Sequence, residues 1–213
     1  MSNKPYQQYC AIAQALDVVG QRWTLLIIRE LLTGPKRFKA LIDQLPGIGS
    51  TLLTSRLRDL EQNGLLIHQT TTNQTSYTLT PRGEALQPTI QALLTWGKPL
   101  LPSSIDQTKP SHSWLQLALQ QAFKSNAFQQ TSASYAFIVD EQLIQITLDD
   151  GHVNIQPNAS HKPDLTIKCT SAVLATILSG TTTLKQGLKA GALQYDGNIE
   201  DLLYVFEQLH TAQ

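Results

Sequence analysis

The clearest chemical pattern in this 213-residue chain is a row of hydrogen-bonding side chains on one face of a predicted helix. Leu53, Leu57 and Leu60 recur at helical spacing between Ser50, a candidate N-cap, and Gly64, which predicts a buried apolar stripe. Polar side chains lie at the start of this helix and on its opposite face: Ser50, Thr51, Thr54, Ser55 and Arg58. Because such side chains offer donors and acceptors to base edges in the major groove, we predict a recognition helix with Arg58 as its principal base reader.

Cationic side chains lie close to this helix in the sequence: Lys36, Arg37, Lys39 and Arg56. They could neutralise phosphates, which positions a protein on DNA without specifying the sequence. The alternative interpretation is that they are ordinary solvated surface charges, and periodicity alone does not choose between the two.

Catalytic and metal-binding patterns are missing from the sequence. The histidines form no HExxH or HxH cluster, and neither a phosphate-binding loop nor a GxSxG elbow occurs. Asp149-Asp150 is typical of a turn, and the pair His161 and Asp164 is separated by Pro163, which favours a strand-entry role for Asp164. We therefore predict no enzymatic activity, no cofactor and no metal site.

The bulk composition and the cysteine content favour a soluble protein of the reducing cytoplasm. Hydrophobic residues make up 41% and charged residues 15% of the chain, as in ordinary globular proteins. The longest aliphatic run, residues 25–28, is too short to cross a bilayer, and no signal segment opens the chain. Cys10 and Cys169 are too far apart in the sequence to suggest a disulfide framework or a zinc site. We expect a cytoplasmic protein with no membrane partner.

Charge and proline content divide the chain into two predicted domains. Residues 1–100 carry ten Lys and Arg against six Asp and Glu, a net charge of +4, and residues 101–213 carry the reverse excess, a net charge of −4. The proline-containing segment 101–111 is predicted to be a linker between domains 1–100 and 112–213. The first domain suits a polyanion better than the second.

Hydrophobic periodicity assigns the elements of both domains, and the overall class is α+β. In the first, helices precede a helix-turn-helix at 38–63, a β-hairpin at 65–79 and one closing helix from Pro81 to Gly97, which together make a winged helix. In the second, a helix is followed by four strands, a helix capped by Ser171, another at 183–190, a short strand and a final helix. This pattern predicts an antiparallel sheet covered by helices on one side.

Several motifs of residues 9–100 resemble the HxlR family of bacterial regulators, notably VGQRWTLLI at 19–27, GPKRF at 34–38, LTSRLRDLE at 53–61 and YTLTPRG at 77–83. The resemblance implies a homodimer, built on the N- and C-terminal helices of this domain, that binds a roughly two-fold double-stranded operator. The segment 70–76 departs from the family because it carries no basic residue, so this wing lacks a cation for contact with DNA phosphates.

Cys10 matches the position at which some members of this family carry a cysteine that responds to oxidants or electrophiles. A thiol at a helix N-terminus can be acidified and made reactive. Cys10 could therefore sense oxidants, and in a dimer two Cys10 thiols could form an intermolecular disulfide. The alternative is that Cys10 is a small apolar packing residue.

The second domain is similar to the sterol carrier protein type-2 fold, through KPDLTI at 162–167, LSG at 178–180, LKQG at 184–187 and AGALQYDG at 190–197. The resemblance implies a cavity for a small apolar ligand, lined by some of these residues: Phe123, Phe128, Phe137, Ile146, Leu174, Leu178, Leu188, Leu202 and Phe206. The same residues could simply fill the core, and the domain could serve only for dimerisation. A competing function is a lipid or metabolite carrier whose winged helix makes protein contacts.

Overall fold

The computed structural model describes residues 5–71, 74–100, 111–123, 132–149, 152–156 and 162–211. These residues form two compact units that divide between Thr95 and Trp96, within the last turn of the final helix of the first unit.

The first unit is mainly helical and holds a small sheet. Its helices are α1 (Ala11–Val19), α2 (Thr24–Leu31), α3 (Phe38–Gln44), α4 (Ser50–Gln62), α5 (Pro81–Glu84) and α6 (Gln87–Gly97). Its strands are β1 (Lys36–Arg37), β2 (Leu66–Thr71) and β3 (Gln74–Leu79), in the order β1-β3-β2. The predicted helix-turn-helix and hairpin are confirmed.

Helix α4 forms because its leucines supply one buried stripe. Leu53, Leu57 and Leu60 are all buried, and the helix gives way to a left-handed Gly64 at φ 67°. The prediction that Ser50 is the N-cap is wrong by one residue. Gly49 occupies the cap with extended backbone and no side-chain bond, and Ser50 begins the helix.

Two features around the wing differ from the prediction. Strand β1 pairs with β3 at Lys36 and Arg37, and a two-residue strand is too short to show alternation in the sequence. In addition, the segment from Pro81 to Gly97, predicted to be one closing helix, forms two helices, α5 and α6. The break precedes Pro88, which has no N–H to donate and restricts the residue before it, so it suits only the first turn of a new helix.

The second unit contains a five-stranded sheet, a short 3-10 helix (Lys98–Leu100) and four α-helices among the described residues. The helices are α7 (His112–Phe123), α8 (Ser171–Leu178), α9 (Leu184–Lys189) and α10 (Ile199–Thr211). The strands are β4 (Ala133–Val139), β5 (Gln142–Asp149), β6 (His152–Gln156), β7 (Leu165–Cys169) and β8 (Leu193–Asp196). The order in the sheet is β6-β5-β4-β7-β8.

The sheet is mixed, so the prediction of an antiparallel sheet is only partly right. Three of its four pairings are antiparallel, but β4 and β7 run parallel, with Tyr135 opposite Leu165 and Val139 opposite Cys169. Strand spacing reveals alternation but not direction, because either pairing places every second residue on the same face.

The core lies on one face of this sheet. Alternate residues of β4, β5 and β7, for example Phe137, Ile146 and Ile167, are completely buried against α7, α8 and α10. Thr170, one residue before the predicted cap Ser171, caps α8 by accepting a bond from the Val173 amide. The predicted packing of helices against a sheet is confirmed, and on the opposite face Ala136 and Gln145 are also buried.

No single helix within the described ranges has the length and apolar content needed to span a membrane. The consecutive pair α1 and α2 reaches these values only when taken together, and its axes meet at a bend of 79°.

Candidate nucleic-acid interface

Helix α4 presents the predicted polar set to solvent. Ser50, Thr51, Thr54, Ser55 and Arg58 are all exposed, on the side opposite the buried leucines. The Thr54 hydroxyl donates to the Ser50 carbonyl at 2.9 Å, so it offers a lone pair and a methyl group to a partner rather than its proton. The face can therefore make both polar and apolar contacts.

The four predicted phosphate contacts fall into two groups. Arg37 and Lys39 are exposed. Lys36 is half-buried, and burial lowers the pKa of its ammonium while the nearby charge of Glu30 opposes that shift. Arg56 has a side chain only 18% exposed and is bonded within the protein.

The environment of Lys36 includes a buried ion pair that sequence reasoning missed. The carboxylate of Glu30 is completely buried and accepts bonds from Nε and Nη2 of Arg29 at 3.0 and 2.5 Å. A charge buried this deeply needs such partners. The signal in the sequence was its position three residues after Ile27, on the stripe that α2 buries.

Arg56 of α4 contacts the corner between α1 and α2, which is formed by residues 20–23. Its Nε donates to the carbonyl of Arg22 at 3.3 Å and its Nη1 to Asp59 at 2.9 Å. Trp23, which follows that carbonyl, has left-handed backbone at φ 79°. Nothing in the local sequence indicates this contact, because its partners are 34 residues apart.

Two polar pairs involve the described part of the wing, and in one of them the hydroxyls of Thr70 and Thr75 lie 3.1 Å apart across β2 and β3. His68 Nδ1 lies 2.5 Å from a carboxylate oxygen of Glu61, and both side chains are exposed. Burial and the charge of Glu61 raise the pKa of Tyr77, which faces His68 across β2 and β3. Thr72 and Asn73, in the predicted turn, lie outside the described residues.

Cys10 is exposed and occupies the N-cap of α1. The backbone amides of Ala13 and Ile12 lower the pKa of its thiol, because they stabilise the thiolate. Cys169 is buried, and burial raises the pKa of its thiol to about 12. The two cysteines therefore differ strongly in chemical character.

Helix α1 also exposes an apolar surface. Ile12 and Leu16, one helical turn apart, are 70% and 39% exposed, and Tyr9 beside them is fully exposed. Leu93 of α6 is a further exposed apolar residue of this unit.

The predicted ligand-pocket residues come together in the second unit. Six are almost fully buried in one hydrophobic core cluster: Phe123, Phe137, Ile146, Leu174, Leu202 and Phe206. Leu178 is buried in the same cluster and Leu188 packs against it, while Phe128 lies outside the described residues. The Phe123 ring contacts the rings of Tyr135 and Phe137 at centroid distances of 5.7 and 6.1 Å.

Two family models match the chain. Residues 18–104 match the HxlR-like helix-turn-helix model, and residues 114–209 match the SCP-2 sterol transfer family.

Curated relatives are similar to less than half of the chain. YodB of Bacillus subtilis, an HTH-type transcriptional regulator, is 41% identical over 85 residues, which are 38% of this chain and 76% of YodB. Uncharacterized HTH-type regulators of Synechocystis and Mycobacterium tuberculosis are 36% and 40% identical over 39% and 43% of this chain. The chain spans only 64% and 60% of the length of these two proteins.

Solved structures of related regulators also align with less than half of the chain. Quinone-bound YodB is 39% identical, with 41% of this chain and 96% of that chain aligned at a TM-score of 0.38. The redox regulator HypR in its reduced form is 28% identical, with 42% and 92% aligned at a TM-score of 0.41.

The relatives named here are transcriptional regulators, which are not enzymes. The identity with YodB extends over more than two thirds of that protein, and the family model covers the winged helix. The chain belongs to the HxlR-like helix-turn-helix family of transcriptional regulators, and its C-terminal part matches the SCP-2 sterol transfer family.

Proposed function

We propose that this chain is a homodimeric regulator that binds operator DNA through α4 and responds to a small apolar ligand held in its second domain. The observation that carries the proposal is the exposed polar face of α4, opposite a completely buried leucine stripe. An exposed helix face rich in hydroxyls, with one arginine, suits hydrogen bonding to bases in the major groove.

The side chains have distinct proposed roles. Arg58 reads a base, and Ser50, Thr51, Thr54 and Ser55 supply further polar contacts along the same face. The exposed Arg37 and Lys39 neutralise phosphates. The half-buried Lys36 contributes less, and Arg56 is left out of this set because its donors are directed at protein acceptors.

The proposed dimer interface uses the exposed apolar surface of α1. Ile12 and Leu16 are apolar, exposed and on one side of the helix, which is the kind of surface that association covers. A symmetric pair would present two reading helices to a two-fold operator. Replacing Ile12 with Asp should give monomers by light scattering and loss of operator binding, and a dimeric Ile12→Asp variant would contradict this interface.

The test of DNA binding is a titration of the purified protein against DNA from upstream of its own gene at two salt concentrations. The variant Lys39→Ala removes one proposed cation–phosphate pair from each protomer, so the slope of log K against log salt should fall by about 0.9 for each protomer. Lys168→Ala, which replaces an exposed lysine of the second unit, is the matched control and should leave the slope unchanged. Failure of the wild-type protein to retain this DNA at low salt would contradict the proposal.

The proposed domains are residues 1–100 for DNA binding and dimerisation, 101–111 as the linker and 112–213 for the ligand. The SCP-2 match supports an apolar ligand, and the apolar residues of the core cluster are the side chains that would line its site. Native mass spectrometry of the purified protein should detect a bound small molecule that organic extraction removes. Ligand retention without any DNA binding would favour the competing function, a lipid or metabolite carrier.

A second candidate function, thiol-based sensing, is favoured by the exposed Cys10 thiol at the N-cap of α1 and its lowered pKa. A thiolate is the reactive form of cysteine, so Cys10 should be alkylated by iodoacetamide much faster than Cys169. A soft electrophile should then weaken operator binding of the wild-type protein and not of Cys10→Ser. Equal sensitivity of both proteins would rule out Cys10 as the sensor.

A further inference from the structure

We infer that Arg56 is a positioning residue, which holds the reading helix α4 against the corner between α1 and α2 and does not contact phosphate. The expected effect on operator binding rests on the proposed DNA-binding function. The hydrogen bond between Arg56 and the corner is present in the protein without DNA.

The hydrogen bonds of Arg56 use its guanidinium as a bridge. Nε donates to the Arg22 carbonyl and Nη1 donates to Asp59, one helical turn further along α4. Asp59 orients the planar group so that a second edge reaches the corner, a geometry that a guanidinium allows and a point-like ammonium does not. With a side chain 18% exposed, Arg56 has little surface left for a phosphate.

The corner that Arg56 contacts has a strained backbone, which must be stabilised by surrounding interactions. Trp23 has φ 79°, a left-handed backbone that bulky residues rarely adopt unless surrounding interactions impose it. The Arg22 guanidinium lies 5.4 Å from the Trp23 ring centroid. The carbonyl bonded by Arg56 immediately precedes this residue, so the bond acts directly on the corner.

A second interaction ties the same corner to the turn before α4. Gly47 has φ 94°, and a Cβ placed on it would lie 3.6 Å from the outer edge of the Trp23 ring. The indole therefore packs over the turn that leads into α4, while Arg56 bonds the adjacent carbonyl from α4 itself. Two separate points thus fix α4 relative to the helix that carries Ile12 and Leu16.

In a dimer formed through α1, this connection sets the separation and angle of the two reading helices. Loosening it should weaken binding to the specific operator and leave the number of neutralised phosphates unchanged. Removal of a cation that neutralises phosphate has a different signature, because it lowers the salt slope by about 0.9 per phosphate, or about 1.8 for a dimer.

The first measurement is amide hydrogen exchange in the free protein, with Arg56→Lys, Arg56→Met and the matched control Arg58→Lys. The reporters are the amides of Gly20, Thr24 and Ile27, which bond to Leu16, Gln21 and Trp23 around the corner. We expect exchange at least about 5-fold faster in both Arg56 variants and unchanged in Arg58→Lys. Unchanged exchange in folded Arg56→Lys would overturn the inference.

The second measurement is operator affinity over a range of salt concentrations. Arg56→Lys keeps the charge and loses the bridge, so we expect about 10-fold weaker specific binding with the wild-type salt slope. Near wild-type affinity for Arg56→Lys, together with a slope reduced by about 1.8 in Arg56→Met, would identify a phosphate contact and overturn the inference. If the wild-type protein binds no DNA, the proposed function fails, and the exchange measurement still decides whether Arg56 holds the corner.

Discussion

The two units of this protein place their candidate functional residues in opposite environments. In the first, the proposed reading face of α4 is exposed and its leucine stripe is buried. Each residue of α4 therefore serves either DNA binding or packing, and not both. In the second, the proposed pocket residues are members of the core itself. Fold and function should therefore separate cleanly by substitution in the first unit and remain coupled in the second.

The largest expected effect comes from the core of the second unit. Phe137→Ala should lower the free energy of unfolding by about 3–5 kcal/mol, because it removes a fully buried ring that packs against Phe123. Hydrogen exchange of the most protected β5 amides measures this loss within the unit. The neighbouring Ile138→Ala, half-buried on the other face of the sheet, is the control and should cost clearly less. Equal losses would show that the Phe137 ring contributes no more to the core than the half-buried Ile138 side chain.

A smaller effect is expected at alkaline pH, again in the second unit. Burial, with Asp201, Tyr204 and Asp164, raises the pKa of Tyr135 to about 12 from an ordinary value of 10.0. Because folding favours the protonated phenol, its contribution is complete below about pH 10 and is lost as pH rises towards 12, a loss of about 2–3 kcal/mol.

The measurement is urea unfolding by circular dichroism at about pH 8 and about pH 11, with Tyr135→Phe as the comparison. The variant should lose less stability than the wild-type protein between these values. Cys169, whose pKa burial also raises to about 12, acts in the same direction, so Cys169→Ala should reduce the remaining dependence. A Tyr135→Phe variant with the full wild-type loss would contradict the assignment.

Substitution on the exposed face of α4 is expected to change DNA binding and to leave the stability of the fold almost unchanged. Arg58→Ala should weaken specific operator binding by about 1–3 kcal/mol for each half-site and change the free energy of unfolding by less than about 0.5 kcal/mol. Operator titration and urea unfolding of the same preparation measure both quantities. A destabilised Arg58→Ala protein would show that the reading face also serves the fold.

The smallest expected effect compares matching helix caps in the two units. The Thr80 hydroxyl accepts a bond from the Gly83 amide and donates one to the Gly64 carbonyl, whereas that of Thr170 accepts from the Val173 amide. Thr80→Ala should cost about 1–2 kcal/mol and Thr170→Ala about 0.5–1 kcal/mol by thermal unfolding. The reverse order would show that the bond to Gly64 contributes little.

Sequence reasoning succeeded where a single periodic pattern controls both packing and exposure. The leucine stripe of α4 predicted its buried face and thereby its exposed face, including Thr51 and Arg58. The same logic identified the strands of the second unit, because their alternation follows from one buried face.

Sequence reasoning failed where the outcome depends on partners distant in the chain. The direction of β7 relative to β4 and the pairing of β1 with β3 are set by tertiary packing. Likewise, Arg56 and Lys36 look like any other cations near a recognition helix. Their half-buried positions depend on the Arg22 carbonyl and on Glu30, which only the folded chain brings near them.

The parallel pairing of β4 with β7 has a consequence for synthesis of the protein. Strands β4 and β5 are neighbours in the chain and can form a hairpin as they emerge from the ribosome. The other edge of β4 can pair only after β7, which begins at Leu165, has been synthesised. Until then the central strand of the finished sheet is an open edge, a template for pairing with other chains. Nascent or truncated chains that stop before Leu165 should therefore aggregate and depend on chaperones more than the full-length protein does.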